Sequence, residues 1–124
     1  MNEQEIHAEA LEKGLNAPRV LPEHIDDVIL YAHYHSPADT LSADFVANHP
    51  DVAQSLRLLT QCTIVMLNGF TVTGESACAS AENYNAELGR KVAYDNARKK
   101  IWPLMGFLLK EHIRRTNLEA ESHA

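Results

Sequence analysis

The stretch TQCTIVMLNGFTVTGESA, residues 60–77, contains the strongest β-hairpin signal in the chain. Two runs rich in β-branched residues flank Asn68-Gly69, a dipeptide whose residues both accept the positive φ angles of a type I′ turn. A two-residue loop at this dipeptide pairs Val65 with Val72 on an apolar face. We expect that face to pack on a helix. The first strand is apolar on both sides, so we expect it to be central in the sheet.

The end of the hairpin carries three side chains with reactive groups, namely Glu75, Ser76 and Cys78. Since alternate residues of a strand point to opposite faces, Glu75 and Ser76 cannot act together. The segment is not a G-x-S-x-G nucleophile elbow, because Cys78 stands where the second glycine is needed. The two-residue loop places Cys62 opposite Glu75, three residues from Cys78 and out of disulfide range. We therefore predict no catalytic residue and no disulfide here.

Short helices and a third strand are predicted before the hairpin. We expect residues 3–13 to form a helix closed by Gly14, the residue type best suited to a left-handed cap. Pro22 can occupy the first position of a second helix. The segment VILYAHYH, residues 28–35, is either the end of that helix or a third strand. Residues 36–57 are rich in turn formers, and we expect them to form an irregular insertion.

The strongest helical pattern begins near Asn83 or Asn85, since either asparagine can cap a helix. Small and apolar residues recur there at every fourth position, which allows close approach to a sheet or helix: Gly89, Ala93, Ala97 and Ile101. Pro103 predicts a kink or a new helix, because it cannot continue the hydrogen-bond ladder. Residues 103–115 are apolar on most faces, so we expect deep burial or the interface of a homodimer or higher oligomer.

These patterns together predict an α+β fold. We expect a small antiparallel sheet around the 60–77 hairpin, packed by a long kinked C-terminal helical segment, with short N-terminal helices. The chain of 124 residues suits one domain, which we place at residues 1–118, with a flexible tail at 119–124. No apolar run is long enough to cross a bilayer, and no secretory signal precedes the first helix. We therefore expect a cytoplasmic protein with free thiols and no membrane association.

The charge of the chain is −6 overall but is unevenly distributed. Residues 1–82 hold three basic and twelve acidic side chains, whereas residues 83–118 hold eight basic and three acidic ones. A globally acidic chain is poorly suited to non-specific DNA binding, because phosphate neutralisation supplies most of that affinity. The basic region is either a solvated helix face or a binding surface for an anionic ligand or an acidic partner.

An anion-binding surface is the best-supported site in the sequence. Arg90, Lys91 and Arg98 lie on or near the start of the predicted helix, and arginines can make bidentate contacts with anions. Tyr84 and Tyr94 offer flat faces for a base or another ring. A second contact surface is the hairpin tip. The candidate ligand-binding residues are therefore Tyr84, Arg90, Lys91, Tyr94 and Arg98, with Asn68 at the hairpin tip.

Metal and cofactor motifs are weak or missing in the sequence. His33 and His35 share one face of a strand, as zinc ligands could, but no CxxC or HExxH motif accompanies them. The sequence contains neither a phosphate loop nor a dinucleotide fingerprint. We therefore predict no cofactor and no metal, with His33 and His35 kept as weak metal candidates.

The segments NGFTVTGESAC and NYNAELGRKVAYDNARKKIWPLMGFLL resemble a family of small phage and prophage proteins, known by the gene 49 and gene 66 products of enterobacterial short-tailed phages. The resemblance covers residues 58–110, with a looser match at NAPRVLPEHID and YAHYH. In the family pattern the Tyr-His segment passes almost directly into the hairpin, so residues 36–57 resemble an insertion. The resemblance implies a phage or prophage accessory protein in the cytoplasm of a bacterial host, and it implies no catalytic residues.

Three functions are compatible with these features. The first is a non-enzymatic accessory protein that binds a host factor or a component of host defence, through the basic helix face and the hairpin tip. The second is a sponge for a small anionic signal of the nucleotide type, in an oligomer whose chains share the pocket. The third is a small hydrolase using His33, His35 or Glu75, for which no acid–base pair is placed by spacing.

Overall fold

The computed structural model describes residues 2–15 and 17–123 and contains one antiparallel sheet. Its three strands are β1 (Ile29–His35), β2 (Leu59–Met66) and β3 (Thr71–Ala77). Their order is β1-β2-β3, so β2 is central and both neighbours are edge strands. The predicted hairpin, the third strand and the central position of the first hairpin strand are confirmed.

The hairpin turn is longer than predicted. The Met66 amide donates to the Phe70 carbonyl at 2.8 Å, and the Gly69 amide donates to the Met66 carbonyl at 2.9 Å, so the loop has three residues. Gly69 has a φ of +86°, whereas Asn68 has no positive φ. A three-residue loop whose last residue is left-handed is a common hairpin turn, and it differs from type I′. The Asn68 side-chain oxygen accepts from the Phe70 amide at 3.0 Å.

The longer loop shifts the register by one residue. Val72 lies opposite Ile64, and Gly74 lies opposite Cys62. A one-residue shift moves every side chain of one strand to the other face. The face of β2 that packs on a helix is therefore Thr60, Cys62, Ile64 and Met66, all buried, and the prediction that Val65 packs there is wrong. For β3 the prediction is confirmed, since Val72 and Gly74 are buried.

The segment between β1 and β2 is helical. It contains a 3₁₀ helix (Pro37–Thr40), α3 (Ala43–Asn48) and α4 (Pro50–Arg57). The prediction that this segment is irregular is wrong because the turn formers act as helix starts: Ser36 and Ser42 are N-caps, and Pro50 occupies a first-turn position. Its origin as an insertion stays a prediction. The Ser36 hydroxyl also donates to the Leu56 carbonyl at 2.8 Å, which joins the two ends of the segment.

Helix α5 (Ala86–Arg98) packs on β2 and β3 and completes the unit formed by residues 29–100. Asn85 is its N-cap, with the side-chain oxygen accepting from the Leu88 amide at 2.9 Å. Asn83, the other predicted cap, belongs instead to a short 3₁₀ helix (Ala81–Asn83). The prediction of a helical segment covering one sheet face is confirmed, and α5 provides that cover.

A second unit consists of the residues before Ile29 and after Lys100. It contains α1 (Glu3–Glu12), α2 (Pro22–Val28) and α6 (Ile101–Ser122). Gly14 follows α1 with a φ of +68°, and Pro22 begins α2, as predicted. Within this unit the Trp102 indole donates to a Glu3 carboxylate oxygen at 2.8 Å, which ties α6 to α1. The expectation of a single domain over residues 1–118 stays a prediction.

The helical segment is interrupted at Lys99 and Lys100, before Pro103. Pro103 lies in the first turn of α6, where a missing amide hydrogen breaks no intrahelical bond. The predicted break is therefore present, and the new helix begins at Ile101, two residues before Pro103. Residues 119–122, expected to be a flexible tail, are helical. None of the helices in the described part of the chain is long and apolar enough to span a membrane.

Candidate functional site

Close contact between α5 and the sheet positions the candidate site. Gly74 makes this contact possible, because a Cβ atom there would overlap the Ala97 nitrogen and the Ala93 carbonyl oxygen. Ala93 and Ala97 are completely buried. On the β3 side, the Asn96 amide group donates to the Glu75 carbonyl at 2.8 Å. The predicted stripe of small residues is thus the surface that packs on the sheet.

The other flank of α5 faces β1 and forms a cleft. Tyr34 of β1 pairs with Cys62, whose side chain is buried on the α5 side of the sheet, so Tyr34 points to that side as well. The cleft has a volume of about 430 Å³. Six side chains line it: Tyr34, Glu87, Arg90, Lys91, Tyr94 and Asp95. The structure therefore brings together three of the predicted ligand-binding residues, Arg90, Lys91 and Tyr94.

Sequence reasoning missed Tyr34, Glu87 and Asp95, and among these Tyr34 is the one that comes from the sheet. Burial raises the pKa of its phenol, and the neighbouring Cys62 and Tyr94 raise it further, while the Arg90 guanidinium acts in the opposite direction. The phenol is therefore protonated at neutral pH and donates a hydrogen bond to the Cys62 sulfur. Tyr34 is the one residue between two histidines of the β1 strand, and strand alternation alone puts it on the opposite face from them.

Cys62 lies beneath the cleft, and its thiol is unreactive. Burial raises the pKa of its thiol, with a smaller opposing effect from the Tyr34 hydrogen bond. The thiolate is the nucleophilic form of cysteine, so a buried thiol with a raised pKa is a poor nucleophile. Both cysteines are free, with Cys62 buried and Cys78 half-buried. The Cys78 amide donates to the Leu58 carbonyl at 3.0 Å, which fixes it just beyond β3.

The cleft contains acidic as well as basic side chains. Lys91 and Glu87 form an ion pair at 3.4 Å, with both side chains about 70% exposed. Exposed pairs of this kind contribute little to stability, so Lys91 can exchange Glu87 for a ligand at small cost. Glu87 and Asp95 balance the formal charges of Arg90 and Lys91. The arrangement favours a ligand that combines an anionic group with hydrogen-bond donors over a simple anion.

The other predicted ligand-binding residues lie outside this lining. Arg98 is only 8% exposed, and its guanidinium donates to the Tyr94 hydroxyl at 3.4 Å. That geometry suits a residue that positions Tyr94 better than one that contacts ligand directly. Tyr84 follows the short 3₁₀ helix, and Asn68 lies at the exposed hairpin tip. Neither Tyr84 nor Asn68 lines the cleft with Arg90.

The weak metal candidates lie on the other face of the sheet. His33 and His35 flank Tyr34, and their rings are stacked with centroids 5.8 Å apart. Within residues 2–15 and 17–123, no group of three or more His, Cys, Asp or Glu side chains has metal-binding geometry. Glu75 is on the same face, opposite Gln61, which in turn lies opposite His35.

The comparison with protein families identifies the family of the chain. A phage protein family model matches residues 20–113. The chain belongs to the phage protein family of N4 Gp49 and phage Sf6 gene 66. The resemblance found in the sequence is therefore confirmed. The comparisons with curated proteins and with solved structures gave no significant match.

The region that matches the N4 Gp49/Sf6 gene 66 family contains every residue of the cleft. It runs from just before α2 into α6 and includes the helical segment between β1 and β2. Helix α1 lies outside the match. Membership in the family places the chain among phage proteins. The chemistry of the cleft has to support any more specific function.

Proposed function

We propose that the chain is a non-enzymatic phage accessory protein that sequesters a small anionic ligand carrying a flat ring, of the nucleotide type, in the cleft between α5 and β1. The observation that supports this proposal is the placement of Arg90 and Lys91 beside two tyrosines, Tyr34 and Tyr94, in one cleft. Cations that face an anion and aromatic rings that stack on a base are the two elements that such a ligand requires.

Each side chain of the cleft has a distinct role in this proposal. Arg90 offers a planar fork of donors for a phosphate, and Lys91 contributes a second positive charge once Glu87 releases it. Tyr34 and Tyr94 provide ring faces and hydroxyl groups. Asp95 and Glu87 accept hydrogen bonds from amino groups on the ring. A ligand that uses all three kinds of contact fits better than inorganic phosphate.

The chemistry of the cleft supports binding better than catalysis. The Tyr34 phenol and the Cys62 thiol both have raised pKa values, so neither is a base or nucleophile at neutral pH. The groups considered for a small hydrolase, His33, His35 and Glu75, lie on the opposite face of the sheet from the cleft. A hydrolase of that kind would therefore work without the cleft residues.

A thermal-shift experiment tests the proposal. A ligand that binds only the folded chain raises its Tm, so a panel of nucleotides should contain at least one that does so in a concentration-dependent way. Arg90→Glu should abolish the shift without lowering the Tm of the free protein. Lys110→Glu makes the same change of charge on an exposed residue of α6 and should leave the shift intact. A shift that survives Arg90→Glu would place the ligand elsewhere.

A host protein is the second candidate partner, and the hairpin tip supports it. Leu67 and Phe70 lie on either side of Asn68-Gly69 and are 62% and 54% exposed, so two large apolar side chains face solvent beside Asn68. A host factor or defence component that docks there should co-purify with the tagged chain from infected cells. The double variant Leu67→Ser and Phe70→Ser should no longer co-purify with that protein. It should keep any increase in Tm that a nucleotide causes. Loss of both would mean that the variant has unfolded the hairpin.

A further inference from the structure

The paired histidines of β1 form a cluster that the proposed function does not use. His33 and His35 alternate with Tyr34, so their imidazoles lie together on the sheet face opposite α5. The ring centroids are 5.8 Å apart. Two imidazoles that bind one ion through nitrogens at about 2.0–2.1 Å keep their centroids roughly 5 Å apart. The observed separation of the two rings is close to that value.

His35 provides an independent reason to expect a ligand here. Its Nδ1 atom is buried and has no hydrogen-bond partner in the described part of the chain. A buried polar atom without a partner costs about 1–3 kcal/mol, which a bound ion or water would relieve. Since imidazole nitrogen is a preferred ligand of zinc, copper and nickel, the unpartnered atom is suited to such an ion.

The surroundings of the pair favour a cation. Thr63 lies opposite His33, and Gln61 lies opposite His35, so neutral oxygen-bearing side chains occupy the next strand on this face. Glu75 lies opposite Gln61, roughly 10 Å from β1 at the usual strand spacing, which is too far to bind the same ion. Its negative charge nevertheless attracts a cation to this face.

We infer that His33 and His35 form a two-histidine site for a borderline divalent transition ion, such as Cu²⁺, Ni²⁺ or Zn²⁺, on the face of the sheet opposite α5. Water or another small ligand completes the coordination. The site is separate from the cleft, because the sheet lies between them. With two protein ligands it binds more weakly than a closed four-ligand zinc site, and it is filled or emptied without unfolding the chain.

Calorimetric titration of the untagged chain with each metal chloride tests this inference. We expect one saturable site per chain, with Cu²⁺ bound more tightly than Ni²⁺ or Zn²⁺. His33→Gln and His35→Gln should each weaken binding by about tenfold or more, and the double variant should abolish it. His112→Gln removes an exposed histidine from α6 and should leave the affinity unchanged.

A second measurement keeps the test independent of variant folding. Substoichiometric Cu²⁺ added to the wild-type chain should broaden the ring NMR signals of His33 and His35 before those of the other histidines, because relaxation by a paramagnetic ion falls steeply with distance. The inference is overturned if no saturable binding occurs at millimolar metal. It is equally overturned if binding persists in the double variant, or if His112 broadens first.

Discussion

At the scale of single residues, Gly74 decides how α5 meets the sheet. It is buried on β3 opposite Cys62, and the backbone of α5 occupies the space that a side chain would need. The same contact places Arg90 and Tyr94 beside Tyr34. One glycine therefore permits the close packing of the sheet against α5, the helix that supplies five of the six residues lining the cleft.

Gly74→Val should destabilise the chain, because the new side chain overlaps the backbone of α5 at Ala93 and Ala97. Overpacking of this kind costs about 1–3 kcal/mol or more. Urea denaturation measures the loss. Gly106→Ala is the matched control, since a Cβ there meets nothing within 4 Å and should stabilise α6 by about 0.5–1 kcal/mol. Equal stability of Gly74→Val and wild type would contradict the close contact.

Tyr34 and Cys62 should make stability fall at high pH. Their pKa values are raised in the folded chain from ordinary values of 10.0 and 9.0. A group with a raised folded pKa contributes stability that is complete below its unfolded pKa and is lost as the pH rises through the folded one. The free energy of unfolding should therefore fall from about pH 9 upward.

The double variant Tyr34→Phe and Cys62→Ala should reduce this dependence on pH, even though removing the thiol lowers stability at every pH. Denaturation curves between pH 8 and 11 measure the slope. An unchanged slope in the double variant would mean that other groups cause the alkaline loss.

At the scale of elements, the hairpin turn sets which side chains of β2 face α5. Gly69 alone supplies the left-handed residue of the three-residue loop. Asn68 has no positive φ, and it contributes through its side-chain oxygen, which accepts a hydrogen bond from the Phe70 amide. The loop length thus fixes the register of β2 against β3, and that register places Gly74 opposite Cys62.

Gly69→Ala should cost about 1–2 kcal/mol, because a Cβ is unfavourable at positive φ even where space is open. Gly69→Asn should cost less, since asparagine tolerates the left-handed region. Denaturation of the two variants side by side provides the comparison. If alanine and asparagine were equally tolerated, the turn would not depend on the left-handed residue.

The sequence predicted the elements better than their exact pairing. Asn68-Gly69 indicates a hairpin, but loops of two and three residues are both compatible with it. Only the packing of the folded sheet selects one of them. The helices between β1 and β2 were missed because Ser and Pro mark loops and helix starts alike. In the cleft, Arg90, Lys91 and Tyr94 all lie on α5, so their spacing in the sequence predicts that they are close together. Tyr34 comes from a strand 56 to 60 residues earlier, so no local pattern joins it to them.

At the scale of the whole molecule, exposed apolar side chains remain on α6. Phe107 and Leu108 are 69% and 57% exposed, within the segment 103–115 that the sequence marked as an interface. Large apolar groups that face solvent side by side favour association. We expect the chain to form a homodimer or higher oligomer through this segment.

Phe107→Asp with Leu108→Asp should convert that oligomer to a monomer, because charges are disfavoured in an apolar interface. Light scattering coupled to gel filtration gives the mass directly. Exposed Leu118, mutated to Asp, is the control outside the segment and should leave the mass unchanged. A wild-type chain that is monomeric at high concentration would rule out the interface.

The proposed function requires the cleft between α5 and β1 to bind a small anionic ligand with a flat ring. Isothermal titration calorimetry of wild type, Arg90→Glu and Lys110→Glu with the nucleotide panel measures that binding. We predict saturable binding by wild type and Lys110→Glu, and at least a tenfold loss in Arg90→Glu. Equal affinity in all three proteins, or no binding of any nucleotide by wild type, would contradict the proposed function.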